Sequence, residues 1–249
     1  MKFRAGVIAA AAAGALLTVG SAAQPAGARP ERPHVVLRGA APVVVELFTA
    51  QGCGGCVDAN ATVERAAAGP GVIALTYGVD YWDYLGWPDT FAQPAFGERQ
   101  RAYRAALHQR GVSTPQVVID GRRQVSGARG LELEAAIVQE ASRQVWPPEI
   151  EFRETGDRVG VGSGRAPAGG AEVLAVTYTP GVQTVEVREG ENRGRTVRHV
   201  NVVREVTRLG EWRGRPMLYA LPQTPNGDAV AVLIQGKTDR RIIGAAVKD

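Results

Sequence analysis

The pattern of apolar and polar positions changes character near residue 146. Before that point, short apolar runs alternate with segments of helical period. Val43-Val44-Val45-Glu46-Leu47-Phe48 is almost wholly apolar and β-branched, as a strand buried on both faces should be. Cys53 to Ala68 then carries Ala59, Val63, Ala66 and Ala67 at helical spacing, and Gly69-Pro70-Gly71 stops it. Val72 to Tyr77 is a second buried strand. Strand, helix and strand with short connections predict a right-handed parallel unit. An aromatic insertion follows from Gly78 to about Pro94. A helix over about 95–109 comes next, with Phe96, Tyr103 and Leu107 near one face and Gly111 as its C′ residue. Gln116–Ile119 and Arg123–Val125 flank Asp120-Gly121, a hairpin turn. A last helix, about 131–144, aligns Leu133, Ile137 and Ala141, and Val35-Val36-Leu37 reads as an added edge strand. Residues 34–145 are therefore expected to form an α/β domain, a central mixed sheet flanked by helices.

Trp146-Pro147-Pro148 marks the change, and helical periodicity ends there. Strand candidates beyond it are 149–154, 171–179, 183–188, 197–206, 229–235 and 241–247, separated by Gly and Pro turns. That spacing predicts an all-β, sandwich-like C-terminal domain over 149–249. Arg198, His199, Asn201 and Arg204 alternate along one of these strands, as a binding face or a half-solvated sheet would.

The first residues set the expected compartment. Lys2 and Arg4 precede an apolar run from Ala5 to Val19, too short for a comfortable span, and small residues follow at Ser21-Ala22-Ala23 and Ala26-Gly27-Ala28. Residues 1–28 are read as a signal peptide, which makes the mature protein exported, periplasmic or secreted, with no stable membrane insertion after cleavage. The formal net charge is +4, two of it from Lys2 and Arg4, and the basic residues are scattered. A nucleic-acid footprint is not supported.

The chemistry is carried by the only two cysteines, Cys53 and Cys56. In an oxidising compartment they pair unless something reduces them. Cys53 at the head of a helix meets unpaired backbone N–H groups that favour a thiolate, and Cys56 one turn on can resolve a mixed disulfide. As a staple the pair would close a loop worth only about 2 kcal/mol, against about 5 for a hundred-residue loop. As zinc ligands they lack a second pair, and as a haem attachment site they lack a His at 57, where Val57 stands. Thr114-Pro115 opens a strand; a cis bond there would bring the Thr114 backbone beside the cysteines and free it for an extended substrate segment, whereas a trans bond would be an ordinary strand start.

At these residues the chain resembles the secreted domain-of-unknown-function family 1223, of the thioredoxin-like superfamily. The likeness lies in Val45-Glu46-Leu47-Phe48-Thr49-Ala50-Gln51-Gly52-Cys53-Gly54-Gly55-Cys56, in Val79-Asp80-Tyr81-Trp82-Asp83-Tyr84-Leu85-Gly86-Trp87 and in Thr114-Pro115-Gln116-Val117-Val118-Ile119-Asp120-Gly121. It continues through Glu191-Asn192-Arg193-Gly194-Arg195, Asn201-Val202-Val203-Arg204-Glu205 and Ile243-Gly244-Ala245-Ala246. The resemblance implies a thioredoxin-like domain, a redox-type pair at Cys53 and Cys56, and a cis-proline position at Pro115. Glu46 matches the buried acid beneath many such sites; its roles are a proton acceptor for Cys56 or a strand-end carboxylate that meets water or pairs with an Arg. Where the family often has Pro after the second cysteine, this chain has Val57-Asp58, and Asp58 opposes a thiolate.

Tyr81, Trp82, Tyr84 and Trp87 either wall a groove beside Cys53, with Trp82 and Tyr84 touching substrate, or pack under the long loop. Arg99 and Arg101 read as a solvated helix face, and Asn192 and Gly194 as hairpin-turn residues. The expected function is an extracytoplasmic thiol–disulfide oxidoreductase: Cys53 attacks, Cys56 resolves, Thr114 and Pro115 hold the substrate. No organic cofactor is implied, the substrate is a protein or small thiol or disulfide, and a membrane redox partner would supply or take electrons. Two alternatives from another class are a Cu(I)-binding protein using both sulfurs and a redox-inactive binding scaffold. Against copper stand a single methionine past the signal, Met217, and no His beside the motif.

Overall fold

The computed structural model describes residues 41–143 and 146–248. The expected signal peptide and the Val35–Leu37 strand lie outside the described residues. The element order is β1 (Val43–Thr49), α1 (Cys56–Ala67), β2 (Val72–Gly78), a short 3-10 turn at Asp83–Leu85, α2 (Pro94–Ala106), β3 (Gln116–Ile119), β4 (Arg123–Val125) and α3 (Gly130–Ala141). The remainder is strand: β5 (Ile150–Phe152), β6 (Arg158–Val161), β7 (Ala171–Glu186), β8 (Thr196–Trp212), β9 (Met217–Ala220), β10 (Ala229–Gly236) and β11 (Ile242–Val247).

A mixed eight-stranded sheet runs β11-β10-β7-β8-β2-β1-β3-β4, and β5-β6-β9 form a second sheet. The parallel β1–β2 pair is the one the sequence predicts, with Val43 opposite Val72 and Thr49 opposite Gly78. Asp120 and Gly121 both have positive φ, 47° and 61°, as the tight β3–β4 turn requires. Among the described residues no helix is long and apolar enough to cross a membrane.

The expected separate sandwich over 149–249 needs correction. β7, β8, β10 and β11 do not close on themselves; they extend the central sheet, β8 joining β2 in parallel at Thr76 and Val202. Alternation along these strands explains the arrangement. Leu174 and Val176 of β7 and Ala231 and Leu233 of β10 share a core with Phe96 and Tyr103 of α2. The intervening Val173, Ala175, Val232 and Ile234 face the small sheet, meeting its Val159, Val161 and Tyr219 together with Trp212 at the end of β8. At the other end that same side is closed by α1 and α3, where Val45, Leu47, Ala59, Val63 and Leu133 meet.

Boundaries also move, among them the end of β8, which runs on to Trp212. α1 starts at Cys56, because Cys53-Gly54-Gly55 forms a turn before it. α2 ends at Ala106, and the left-handed residue beyond it is His108 (φ 54°) in place of Gly111. The two expected strands 171–179 and 183–188 are one strand, β7, whose register shifts between Thr179 and Val182.

Candidate active site

β1 delivers the chain from the middle of the sheet into the loop Ala50–Gly52, and the motif follows. Cys53 and Cys56 are joined by a disulfide with Cα atoms 5.4 Å apart. Cys53 N–H donates to Ala50 O at 3.2 Å and Cys56 N–H to Cys53 O at 3.1 Å, so the bend is held by its own backbone. The sulfur-bearing residues are covered: Cys53 is 2% exposed and Cys56 is fully buried, while Gly55 between them is open to solvent.

Four segments converge here. The first is the strand entry at Thr114-Pro115, whose peptide bond is cis. The Thr114 hydroxyl donates to Cys53 Sγ at 3.6 Å and accepts the Trp82 indole N–H at 2.6 Å. A Cβ on Gly55 would lie 3.9 Å from Pro115 Cδ, which places the proline against the motif. The second is the aromatic insertion. Trp87 Nε1–H donates to Gln51 Oε1 at 2.8 Å, and Gln51 N–H donates to Asp89 Oδ2 at 2.6 Å. Burial pushes the Asp89 carboxyl up to about 6, against the pull of the Gln51 and Phe91 N–H groups it accepts.

The third segment is the tip of the β7–β8 hairpin, about 140 residues further along the chain. Asn192 is fully buried, and its Nδ2 donates to Gln51 O and to Cys53 O, both at 2.8 Å. Glu191 N–H donates to Gly52 O at 3.2 Å, and Gly54 N–H donates to Glu191 Oε2 at 2.8 Å. Gly190 has φ 78°, and a Cβ on it would lie 3.3 Å from Gly52 Cα, so a side chain there would lift the tip from the loop. The fourth is α1, which fixes the far side: its buried Asn60 accepts from Thr49 Oγ1–H at 2.8 Å and donates to Arg198 O at 2.9 Å.

Of the residues expected at the site, Cys53, Cys56, Thr114, Pro115 and Trp82 are brought together. Tyr84 is 79% exposed on the short 3-10 turn. Glu46 sits within the sheet, fully buried, with Oε1 accepting from Arg99 Nε at 2.7 Å and Oε2 accepting a short hydrogen bond from the Tyr103 hydroxyl. Both its oxygens are thus engaged by α2, which matches the Arg-paired alternative. Arg99 is accordingly not a solvated residue: it is 7% exposed and also reaches Gln235 and the Tyr103 oxygen. Burial pushes the Tyr103 phenol well above its ordinary range. Arg101, by contrast, stays exposed and pairs with Glu98.

Sequence reading missed Asn192 and Glu191 as parts of the site. Turn chemistry explains Gly194 (φ 76°), but the amide of Asn192 is spent on the motif loop. The signal available was the likeness that extends through Glu191–Arg195 in the distant strands. The row from Arg198 to Arg204 joins elements: Arg198 pairs with Glu64, Asn201 donates to Ala74 O, and Arg204 donates to Thr179 Oγ1. Among the described residues, no group of three or more His, Cys, Asp or Glu could hold a metal ion.

Fold and site together define a mixed α/β protein with a C-x-x-C disulfide at the head of its first helix. The model of the family described as protein of unknown function (DUF1223) matches residues 44–235, and the chain belongs to that family. Its fold is similar to the X-ray crystal structure of protein AGR_C_4864 from Agrobacterium tumefaciens. That likeness has 32% identity, 84% of this chain and 94% of that chain covered, and a TM-score of 0.69. HBP35 of Porphyromonas gingivalis shares the fold at 14% identity and a TM-score of 0.56, over 84% of this chain and 75% of that one. No curated protein matches the chain.

Proposed function

We propose that the protein is a thioredoxin-like, extracytoplasmic thiol–disulfide oxidoreductase acting through Cys53 and Cys56. The observation that carries this reading is the disulfide at the start of α1 with the Thr114 hydroxyl on Cys53 Sγ, beside Pro115. In the reducing direction, the Cys53 thiolate attacks a substrate disulfide, forms a Cys53–substrate mixed disulfide and expels one substrate thiolate. Cys56, losing its proton to solvent or to the departing sulfur, attacks Cys53 Sγ and expels the second. Two electrons pass to the substrate and the Cys53–Cys56 bond re-forms; the oxidising direction reverses each step.

Burial of Cys53 adds a requirement. Cys53, 2% exposed, reacts only after a neighbouring segment yields, and the segments that hold it are Thr114 with Trp82 at its sulfur and the hairpin tip at its backbone. Export remains a reading of the first 28 residues and of the two paired cysteines.

A glutathione redox titration of the purified mature protein, read by thiol alkylation, tests the function. A reversible couple between about −120 and −180 mV identifies an oxidant or isomerase, and one near about −270 mV a reductant. A pair that stays oxidised at every poise refutes the proposal. Cys56→Ser then distinguishes enzyme from metal binder: the enzyme traps covalent mixed disulfides, whereas a Cu(I) protein traps none and loses copper.

A further inference from the structure

We infer that Glu191 is the positioning residue that sets the balance between disulfide and dithiol at Cys53–Cys56, an inference that rests on the redox reading above. Its carboxylate arrives from the far half of the chain and accepts the Gly54 amide N–H at 2.8 Å. Four covalent bonds separate that nitrogen from Cys53 Sγ, so the carboxylate oxygen stands within about 8 Å of the sulfur. Space for it is made by the absent side chain of Gly54: a Cβ there would lie 3.0 Å from the same Oε2. The backbone carrying Glu191 is itself pinned, by its own N–H on Gly52 O and by Asn192 on Gln51 O and Cys53 O. The nearby cation Arg195 is turned to Asn192 Oδ1, at 3.2 Å.

A disulfide is neutral and tolerates this carboxylate; a thiolate does not. Backbone amides at the head of a helix are what lower a cysteine's pKa, and the amide that follows Cys53 already serves an anion. A second negative charge beside it is opposed by the first. Reduction adds two electrons and two protons to the bond, one of which Cys53 then releases to become the thiolate. Glu191 disfavours that thiolate, shifts the equilibrium toward the disulfide and makes the reduced protein the stronger reductant.

The test compares the parent protein with Glu191→Gln and Glu189→Gln in glutathione titrations at pH 8, together with the pH profile of Cys53 alkylation by iodoacetamide. Glu191 is exposed and Gln keeps an oxygen for the Gly54 N–H, so the fold is preserved. Glu189, exposed on the same hairpin, controls for charge alone. The expected result for Glu191→Gln is a disulfide-forming equilibrium constant three- to tenfold lower, about 15–30 mV, with the alkylation midpoint moved to lower pH. Glu189→Gln should leave both readings within twofold of the parent. A Glu191→Gln midpoint within twofold of the parent, or an equal shift in Glu189→Gln, overturns the inference and leaves the redox reading standing. A parent protein that never cycles overturns the redox reading and this inference with it.

Discussion

Replacing Asn192 with Ala should make the disulfide reducible much faster while the fold persists. The side chain is fully buried and its Nδ2 holds two carbonyls of the motif loop, Gln51 O and Cys53 O. Leaving a buried acceptor unpaired costs about 1–3 kcal/mol, and water reaching the tip would satisfy part of the loss. About 2 kcal/mol is then taken from the closed state of the tip, leaving the two ties made by Glu191. If tip opening admits the reductant, a loss of about 2 kcal/mol raises the open fraction, and with it the reduction rate, roughly thirtyfold. The assay is acid-quenched alkylation after timed exposure to a water-soluble phosphine, in native buffer and in low urea. Local opening exposes little surface, so the accelerated rate should barely respond to urea, whereas global unfolding would respond with the full m-value. A rate within twofold of the parent, or an acceleration with global urea dependence, would refute the reasoning that these two hydrogen bonds of Asn192 hold the tip closed.

Two further outcomes follow from buried charge. His199 is 2% exposed, and neither ring nitrogen has a hydrogen-bond partner among the described residues; burial lowers its pKa to about 4. Against about 6.5 when unfolded, the stability linked to its neutral form is complete above pH 6.5 and is lost as pH falls toward 4, about 2 kcal/mol of it between pH 8 and pH 5. Asp89 and Asp120, raised by burial to about 6, run the opposite way and lose stability as pH rises through that value. His199→Leu should therefore gain about 2 kcal/mol at pH 5 relative to its own change at pH 8 in urea unfolding; parallel pH curves would contradict this. For the Glu46–Arg99 pair, Glu46→Leu should cost about 3–5 kcal/mol by stranding a buried guanidinium, and adding Arg99→Met should restore at least about 2. A double variant no better than the single would show that the network's other members, Tyr103 and Gln235, carry the interaction.

How far the molecule could be read in advance depended on how local each cause was. The β1–α1–β2 unit is written in contiguous apolar runs, and the β3–β4 turn in two adjacent residues that accept positive φ. The C-x-x-C pair declares itself because both partners lie within one turn. Arg99 was misread because a charged residue on a helix gives no sign of its partner, and Glu46 is 53 residues away. Asn192 does sit in the hairpin turn, its carbonyl accepting the Arg195 N–H, but its side-chain role is hidden from local sequence because its acceptors lie 139 and 141 residues back. β6 is four residues with Gly160 among them, and β9 presents Met217 and Leu218 to solvent, so neither shows the pattern of a buried strand. The continuity of β7 through Pro180-Gly181 was hidden by residues that ordinarily end a strand.

The C-terminal strands do more than add a second layer, and the placement of β8 explains why. It lies between β7 and β2, so the buried strand β2 is interior to the sheet only because a strand from the second half pairs with it. Thr76 Oγ1–H donates to Val200 O across that junction, and Asn201 donates to Ala74 O, which fixes β8 along the chain direction of β2. With β8 fixed there, the antiparallel β7 follows, and the register from Ala171–Trp212 to Glu186–Thr196 carries the hairpin tip forward. The tip then falls where β1 ends, over Gln51–Gly54. Sheet pairing in the middle of the molecule thus determines which residues bind the motif loop at its edge. A slip of one residue between β7 and β8 would exchange the residues of the two cores, setting Leu174 and Val176 where Val173 and Ala175 now pack, so the position of Glu191 and Asn192 on the motif loop is secured by packing on both faces of β7 far from it.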